Sequence, residues 1–544
     1  MTRALIDAIA LEVLRHALAA VADEMNADLI RTAYSPNINE RRDCSSAVFD
    51  PAGSMVAQAE SIPVHLGAMP YSVAAAIQAA GQFAPGDIVV VNDPYAGGAH
   101  LPDITFVAPV FVHGDLVAFV ANRAHHADIG GKEPGSLAGD SVEIFQEGLR
   151  IPPVRLWRRG ELVDDLLALI LLNVRTPRER LGDLRAQAAG CRMGVARMED
   201  LVSRYGGGML DDGMDAVLAY SERRMRAEIE EFPRGTFRFE DALDGDGIVR
   251  GEIPIRVAIR AHGDRLIVDF TGSARQVTGP VNAVLAVTAS ATYFAVRAAT
   301  DPTIPANSGC YRPIEIVAPL GSVVNAVAPA AVVGGNLETA QRIVDVILGA
   351  LGTALPERAI GACQGTMNNV AVGGTDPRTR QAYTLYETIG GGFGGRPAVD
   401  GIDGVHSHMT NTLNTPVEAL ETAYPLQVRC YELVCGSGGV GEHRGGLGIR
   451  REIRAVGHVA RVSLLTDRRS RGPYGVQGGG LGAVGRNTLV RANGLEEPAP
   501  SKGSILLSPG DTLRMETPGG GGWGDPARRS LEDIERDRRE GRID

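Results

Sequence analysis

The chain has 544 residues, too many for a single hydrophobic core, so two or three domains are expected. Hydrophobic residues make up 44% and aromatics 5%, and 68 glycines mark a loop-rich globular protein rather than a fibre or a disordered chain. A net charge of −11 and an isoelectric point near 5.6 exclude the basic face that nucleic acid requires, and no block of like charge marks a membrane surface.

Residues 5–34 repeat apolar positions at helical spacing, and Ser35-Pro36-Asn37 ends the helix. This opening segment has neither the apolar core of a signal peptide nor a spanning run, so a cytoplasmic protein is expected, with no membrane partner. SSAVFDPAGSMVAQ reads as two short strands around Asp50-Pro51-Ala52-Gly53, and residues 70–82 as a second helix. A helix-rich region fits residues 162–232. GEIPIRVAIRAHGDRLIVDFTGS alternates with a period of two and turns at His262-Gly263-Asp264, which predicts a hairpin. Helix returns over 337–351, entered through Gly334-Gly335-Asn336, with Asn336 as its N-cap. His406 and His408 alternate as on a strand and share a face, suited equally to substrate contact or structure. From about residue 425 glycine and short β-like runs dominate, and the glycines of GGGFGGRP and PGGGGWGDP read as turns. The fold class is therefore α+β: multi-domain mixed sheets with helices and a glycine-rich, β-dominated C-terminal part. The expected divisions are 1–232, 233–424, 425–528, and a charged helical tail over 529–544.

Lysine is nearly absent, with only Lys132 and Lys502, and the P-loop pattern does not occur. If the reaction uses a nucleoside triphosphate, a partner or another fold must bind it. The six cysteines form no CxxC pair and read as free thiols.

The densest chemistry lies in NDPYAGGAHLPDITFVAPVFVHGDLVAFVANRAHHADIGG, residues 92–131. Its centre reads as two antiparallel strands with Gly114-Asp115 at the turn, which leaves His113 as a surface residue. A two-residue turn and a three-residue turn centred on Gly114 differ by one place in register, so Asp103 faces His125 or His126. His100 lies just before Asp103 and folds back toward the same end of the hairpin. Two imidazoles with one or two carboxylates are ordinary ligands for Zn²⁺, Mn²⁺ or Fe²⁺ with positions left for water and substrate.

NDPYAGGAHLPDI, ANRAHHADIGG, SPNINERRDCSSAVFD, GGNLETAQRIVD, GVHSHMTNTLNTPVEALE and TPGGGGWGDP together resemble the hydantoinase B/5-oxoprolinase family from about residue 5 to 528. The resemblance implies the metal-binding, B-type member of an ATP-dependent cyclic amide hydrolase. In that family a hydantoinase A-type partner uses ATP to phosphorylate a carbonyl oxygen of a small cyclic amide or ketone, within a hetero-oligomer such as A2B2. It places metal ligands on Asp43, His100, Asp103 and His125, for Mn²⁺ or Zn²⁺. His126 and Asp128 become catalytic or supporting groups, Asp128 being suited to hydrogen-bond a ligating imidazole. The length suits the B-type member alone, incomplete as an enzyme. The alternatives are a subunit of an ATP-dependent ketone carboxylase, whose B-type chains are longer, and a non-catalytic stabilising subunit. An independent Fe(II) oxygenase carries little weight, because HLPD has one residue more than the usual HxD spacing.

Overall fold

In the computed structural model, which describes residues 6–59 and 61–544, the chain forms four β-sheets clothed by helices. The first helix runs Ala8–Thr32; Asp7 caps it by accepting from the Ala10 N–H, and Ala33 ends it in an extended conformation. Residue 5, where the sequence periodicity begins, lies outside the described residues.

The largest sheet has seven strands in the order Met55–Gln58, Cys44–Phe49, Asp115–His125, Asp103–Val112, Ile88–Val91, Val154–Arg158 and Glu161–Leu162. Its pairings are all antiparallel. Side chains alternate between its faces. Val48, Val90, Phe106 and Val120 join the core that holds Leu14, Leu18 and Met25 of the first helix and Leu184 and Cys191 of the helix Pro177–Tyr205. Ala47, Val89, Val107, Phe119 and Ala121 instead pack with Met69, Val73 and Ala76 of the helix Met69–Ala80. The polar residues obey the same alternation, and that decides where the candidate site faces.

A four-stranded sheet, Ile314–Val317, Arg265–Asp269, Arg250–His262 and Phe237–Gly245, carries the helix Ala340–Ala354 against it. Gly263-Asp264 turns its hairpin, since Arg265 pairs directly with His262. The last two sheets share a second core that includes Val370, Val372, Leu385, Ile453, Val462, Leu464, Leu513 and Met515. Pairing crosses residue 425, because Asn369–Thr375 is hydrogen-bonded to Ala460–Leu465.

The glycine runs are not turns. Gly392 donates to the Pro518 carbonyl at 3.0 Å, Gly395 to Gly521 at 2.8 Å, Gly446 to Phe393 at 2.8 Å and Gly520 to Gly446 at 2.9 Å. These are extended chains packed backbone against backbone, and a Cβ on Gly394 would run into the Gly361 carbonyl oxygen, one on Gly520 into that of Phe393. Gly394→Ala is therefore expected to cost about 3 kcal/mol, the upper end of overpacking penalties, because backbone cannot rotate aside. Gly208→Ala, with open space around it, should stay within about 1 kcal/mol of the wild type. Urea unfolding of the two variants measures the contrast.

All six cysteines are free, four of them buried. No helix among the described residues is long and apolar enough to cross a membrane.

Candidate metal centre

The hairpin turns through His113 and Gly114, at φ of 54° and 95°, one place earlier than Gly114-Asp115. Both residues take the positive φ that a tight two-residue hairpin needs. Val112 pairs with Asp115 and Phe111 with Leu116, but Val110 pairs with Ala118, so a bulge at Val117 adds one residue to the second strand. From there the register brings Asp103 opposite His125. Without the bulge Asp103 would face Ala124, and every side chain of the second strand would change faces.

Three side chains converge at the hairpin end. Asp103 Oδ1 lies 3.0 Å from His100 Nε2 and 3.1 Å from His125 Nδ1, and the two ring nitrogens are 3.3 Å apart. All three residues are buried, and they can hold a metal ion. The opposition of the two ring nitrogens fits a cation here. Tautomers can supply a proton from each imidazole to the one carboxylate oxygen, but the ring nitrogens then confront each other N–H to N–H. The other nitrogen of each ring, His100 Nδ1 and His125 Nε2, does not take part in this convergence and is buried with no hydrogen-bond partner among the described residues. Burial alone would raise the Asp103 carboxyl, yet His100 and His65 beside it, with hydrogen bonds from His100 and His125, hold it well below the usual carboxylate range. Burial lowers the His125 imidazole, which Asp103 only partly offsets, and so favours its neutral, ligating form.

The surroundings come from distant parts of the chain. Asp43 shares a sheet face with Asp103 and His125, and its main chain accepts from the His125 N–H at 3.0 Å. His65, on the short helix Pro63–Leu66, sets Nε2 3.5 Å from Asp103 Oδ1 and 3.8 Å from Asp43 Oδ1. Ser45 Oγ stands 3.2 Å from the other nitrogen of that ring. Tyr386 stacks on His125 with ring centres 4.5 Å apart and planes 12° apart, and the fully buried Arg41 lies 5.0 Å over the Tyr386 ring. Asn336 does not cap a helix. It sits in a π-helical turn, Gly335–Thr339, and donates from Nδ2 to Asp103 Oδ2 at 3.4 Å. Such turns recur at functional sites because they aim side chains that a regular helix would turn away. In the same turn Glu338 accepts from Asn369 at 2.9 Å, Asn369 accepts from the Tyr386 hydroxyl at 2.9 Å, and burial pushes the Glu338 carboxyl up to about 8.

The structure does not bring His126 or Asp128 to this cluster. His126 projects from the opposite face of the sheet, where Nε2 is 2.8 Å from Gln187 Oε1 on the helix Pro177–Tyr205. Burial, aided by Arg180, pushes its imidazole down to about 4. Asp128 does not orient a ligating imidazole. Its carboxylate accepts from the main-chain N–H groups of Gly130, Gly135 and Arg175 and from the Arg175 guanidinium at 2.9 Å, which pins the loop after the hairpin. His406 and His408 lie outside any strand: His408 takes φ of 55° and lines a separate cavity. Nothing in the local pattern around His65, Asn336 or Tyr386 announces a role, because each reaches the hairpin only through packing.

The fold and this site define a multi-sheet α+β chain with a buried His–Asp–His cluster at a hairpin end. Residues 7–526 match the Hydantoinase B/oxoprolinase family, and the chain belongs to it. It is 37% identical over 527 residues to the 5-oxoprolinase of Dictyostelium discoideum, covering 95% of this chain and 40% of that one, so it spans about two fifths of that relative's length. It is 32% identical to a putative B-type component of a D-/L-hydantoinase from Pseudomonas sp. strain NS671, over 97% of this chain and 92% of that one. The ATP-dependent caprolactamase of Pseudomonas jessenii superposes with a TM-score of 0.91 at 30% identity, covering 99% of this chain and 95% of that chain.

Proposed function

We propose that this chain is the metal-binding, B-type component of an ATP-dependent cyclic amide hydrolase, working on a hydantoin, oxoproline or lactam whose carbonyl oxygen a hydantoinase A-type partner has phosphorylated. The observation that carries the reading is the convergence of His100, Asp103 and His125 at ligand distances within a buried site, in a chain of this family. The likeness to the hydantoinase component and to the caprolactamase supports the substrate class.

In this reading His100, Asp103 and His125 hold Mn²⁺ or Zn²⁺, with Asp43 and His65 as the nearest further donors. A divalent cation in such a site polarises a carbonyl and brings water to its reactive form near neutral pH. The chain's own residues do the rest. Asn336 fixes the second oxygen of Asp103, so that the first is the one offered to the cluster. Tyr386 covers one face of the His125 ring, with Arg41 over the Tyr386 ring in turn, and Asn37 holds that strand end by donating to the His125 carbonyl at 2.6 Å. A cyclic amide resists water through its resonance; phosphorylation of its oxygen by the partner removes that resistance before the site acts.

Mixing the chain with an A-type partner should give ATP consumption that depends on an added hydantoin, 5-oxoproline or lactam. No ATP turnover with any of the three would overturn the reading, and labelled bicarbonate entering an acid-stable product would replace it with a ketone carboxylase. Asn336→Ala should weaken metal affinity on the order of 10- to 100-fold, the usual effect of losing a partner of a ligand, with no change in stoichiometry at saturating metal. Titration with Mn²⁺ or Zn²⁺ against a competing chelator measures it.

A further inference from the structure

A cavity of about 300 Å³ lies against the short helix Pro63–Leu66. Pro63 and Gly67, on either side of His65 in the chain, line it, so the helix that brings His65 to the metal centre also walls this cavity. Tyr293, Phe294 and Tyr311 supply its aromatic part, the two tyrosine rings stacked with centres 4.1 Å apart and planes 7° apart. An apolar cavity of about 150 Å³ is enough to hold benzene, so there is room here for one small ring.

The polar side chains around the cavity, tyrosines aside, are engaged with the protein, with one exception. Ser61 Oγ accepts from Asn26 Nδ2 at 3.0 Å, and Ser290 Oγ donates to the Pro63 and Val64 carbonyls at 2.9 and 3.1 Å. Arg297 donates to the Pro302 and Ile304 carbonyls, and Asn411 to that of Ser61. Gln58 is the exception. It is 8% exposed, its Oε1 is buried, and its side chain makes no hydrogen bond among the described residues. It ends the edge strand Met55–Gln58 opposite Ala47, which turns its side chain to the sheet face of Asp43 and Ser45. A buried carboxamide oxygen without a donor is rare in folded proteins, and a ligand N–H would satisfy it.

A carboxamide offers one acceptor and one donor side by side and carries no charge. Its complement is an amide whose N–H and C=O lie along one edge, so that two hydrogen bonds close together. An open-chain secondary amide is trans and points these groups in opposite directions. A small ring holds the amide cis and sets both on the same edge. We propose that this cavity is a binding site, separate from the metal ligands, for free five- to seven-membered cyclic amides and imides. Gln58 pairs with the amide edge, and the ring lies against Tyr293, Phe294 and Tyr311. A mostly apolar chamber with one well-placed polar group is the usual form of a small-molecule pocket. The ligand is the unphosphorylated ring, bound without nucleotide or partner, so the site stands or falls independently of the hydrolase reading, which ATP turnover tests.

The test titrates the full chain with 2-pyrrolidinone, followed by saturation-transfer NMR, in the absence of ATP and partner. Binding should saturate, and N-methyl-2-pyrrolidinone, which lacks the N–H, should bind at least about tenfold more weakly. Gln58→Leu should weaken 2-pyrrolidinone about tenfold or more and abolish the preference over the N-methyl compound. Ala298→Trp, at an exposed position on the cavity wall, should block both compounds. Asp103→Asn should bind 2-pyrrolidinone as the wild type does, which separates the cavity from the metal centre. Absence of saturable binding overturns the proposal, and so does binding that is lost in Asp103→Asn. An unchanged affinity in Ala298→Trp overturns it too, a result that stands even if Gln58→Leu does not fold.

Discussion

Asp103→Asn, His100→Ala and His125→Ala are each expected to strip the bound divalent cation from the protein and to lower activity with the A-type partner by at least about 100-fold. The three donor atoms lie within 3.3 Å of one another, so none can be replaced by a neighbour without moving the hairpin end. The fold should survive, because the strand pairing runs on from Ile104 to Val112 without these side chains. His126→Ala should do the reverse. It removes the partner of Gln187 on the opposite face, costing about 1–3 kcal/mol of stability, and leaves metal content intact. Elemental analysis of the four purified variants, beside their unfolding curves, separates the two faces. If His126→Ala lost the metal and His125→Ala kept it, the assignment of donors would be wrong.

The largest loss of stability should come from Arg342→Met. This guanidinium, fully buried on the helix Ala340–Ala354, bonds Asp241 at 2.7 Å and Asp467 at 2.9 Å. Arg468 reaches Asp241 at 2.6 Å and Asp345 at 2.7 Å, and Lys502 reaches Asp467 at 2.7 Å. The network thus ties the second sheet to the segment that follows Ala460–Leu465 and to the strand Lys502–Leu507. Removing Arg342 strands buried carboxylates short of cations, which costs about 3–5 kcal/mol. The pH dependence carries a definite sign. In the wild type burial would raise Asp241 and Asp467, but Arg342 and Arg468 on the first, and Lys502 and Arg342 on the second, hold both below the ordinary range. A depressed carboxylate stabilises the fold above its unfolded pKa of about 3.9, and that contribution is lost as the pH falls below it. In the variant Asp241 keeps Arg468 and Asp467 keeps Lys502, but both lose Arg342, so burial raises these carboxyls relative to the wild type and the deficit should grow from pH 5 to pH 8. Urea unfolding of both proteins at the two pH values measures that difference, and a deficit that shrinks toward pH 8 would refute the account.

Features that depend on neighbours along the chain were legible in the sequence. Alternating apolar residues on both sides of His113-Gly114 specify a hairpin, and the long motifs specify the family. The stripe Leu14, Leu18, Val21, Met25, Leu29 specifies the first helix, which the structure places over Ala8–Thr32. Strand spacing alone left open the choice between His125 and His126 opposite Asp103, and only the family resemblance pointed to His125. A single inserted residue at Val117 settles that choice, and either residue count satisfies the same alternation on one face or the other. Tertiary packing also selects which remote residues complete the site. His65, Asn336 and Tyr386 lie far from the hairpin in the chain, and side-chain periodicity carries no information over such separations. Asn336 shows the difference most clearly: its local sequence suits an N-cap, and only the approach of the π-helical turn to the hairpin makes it a partner of Asp103. The glycine runs differ for the same reason. Their composition says that backbones can turn there or approach closely, and it is the chains packed against them, Gly361, Phe393 and Ser437 among others, that make close approach the answer.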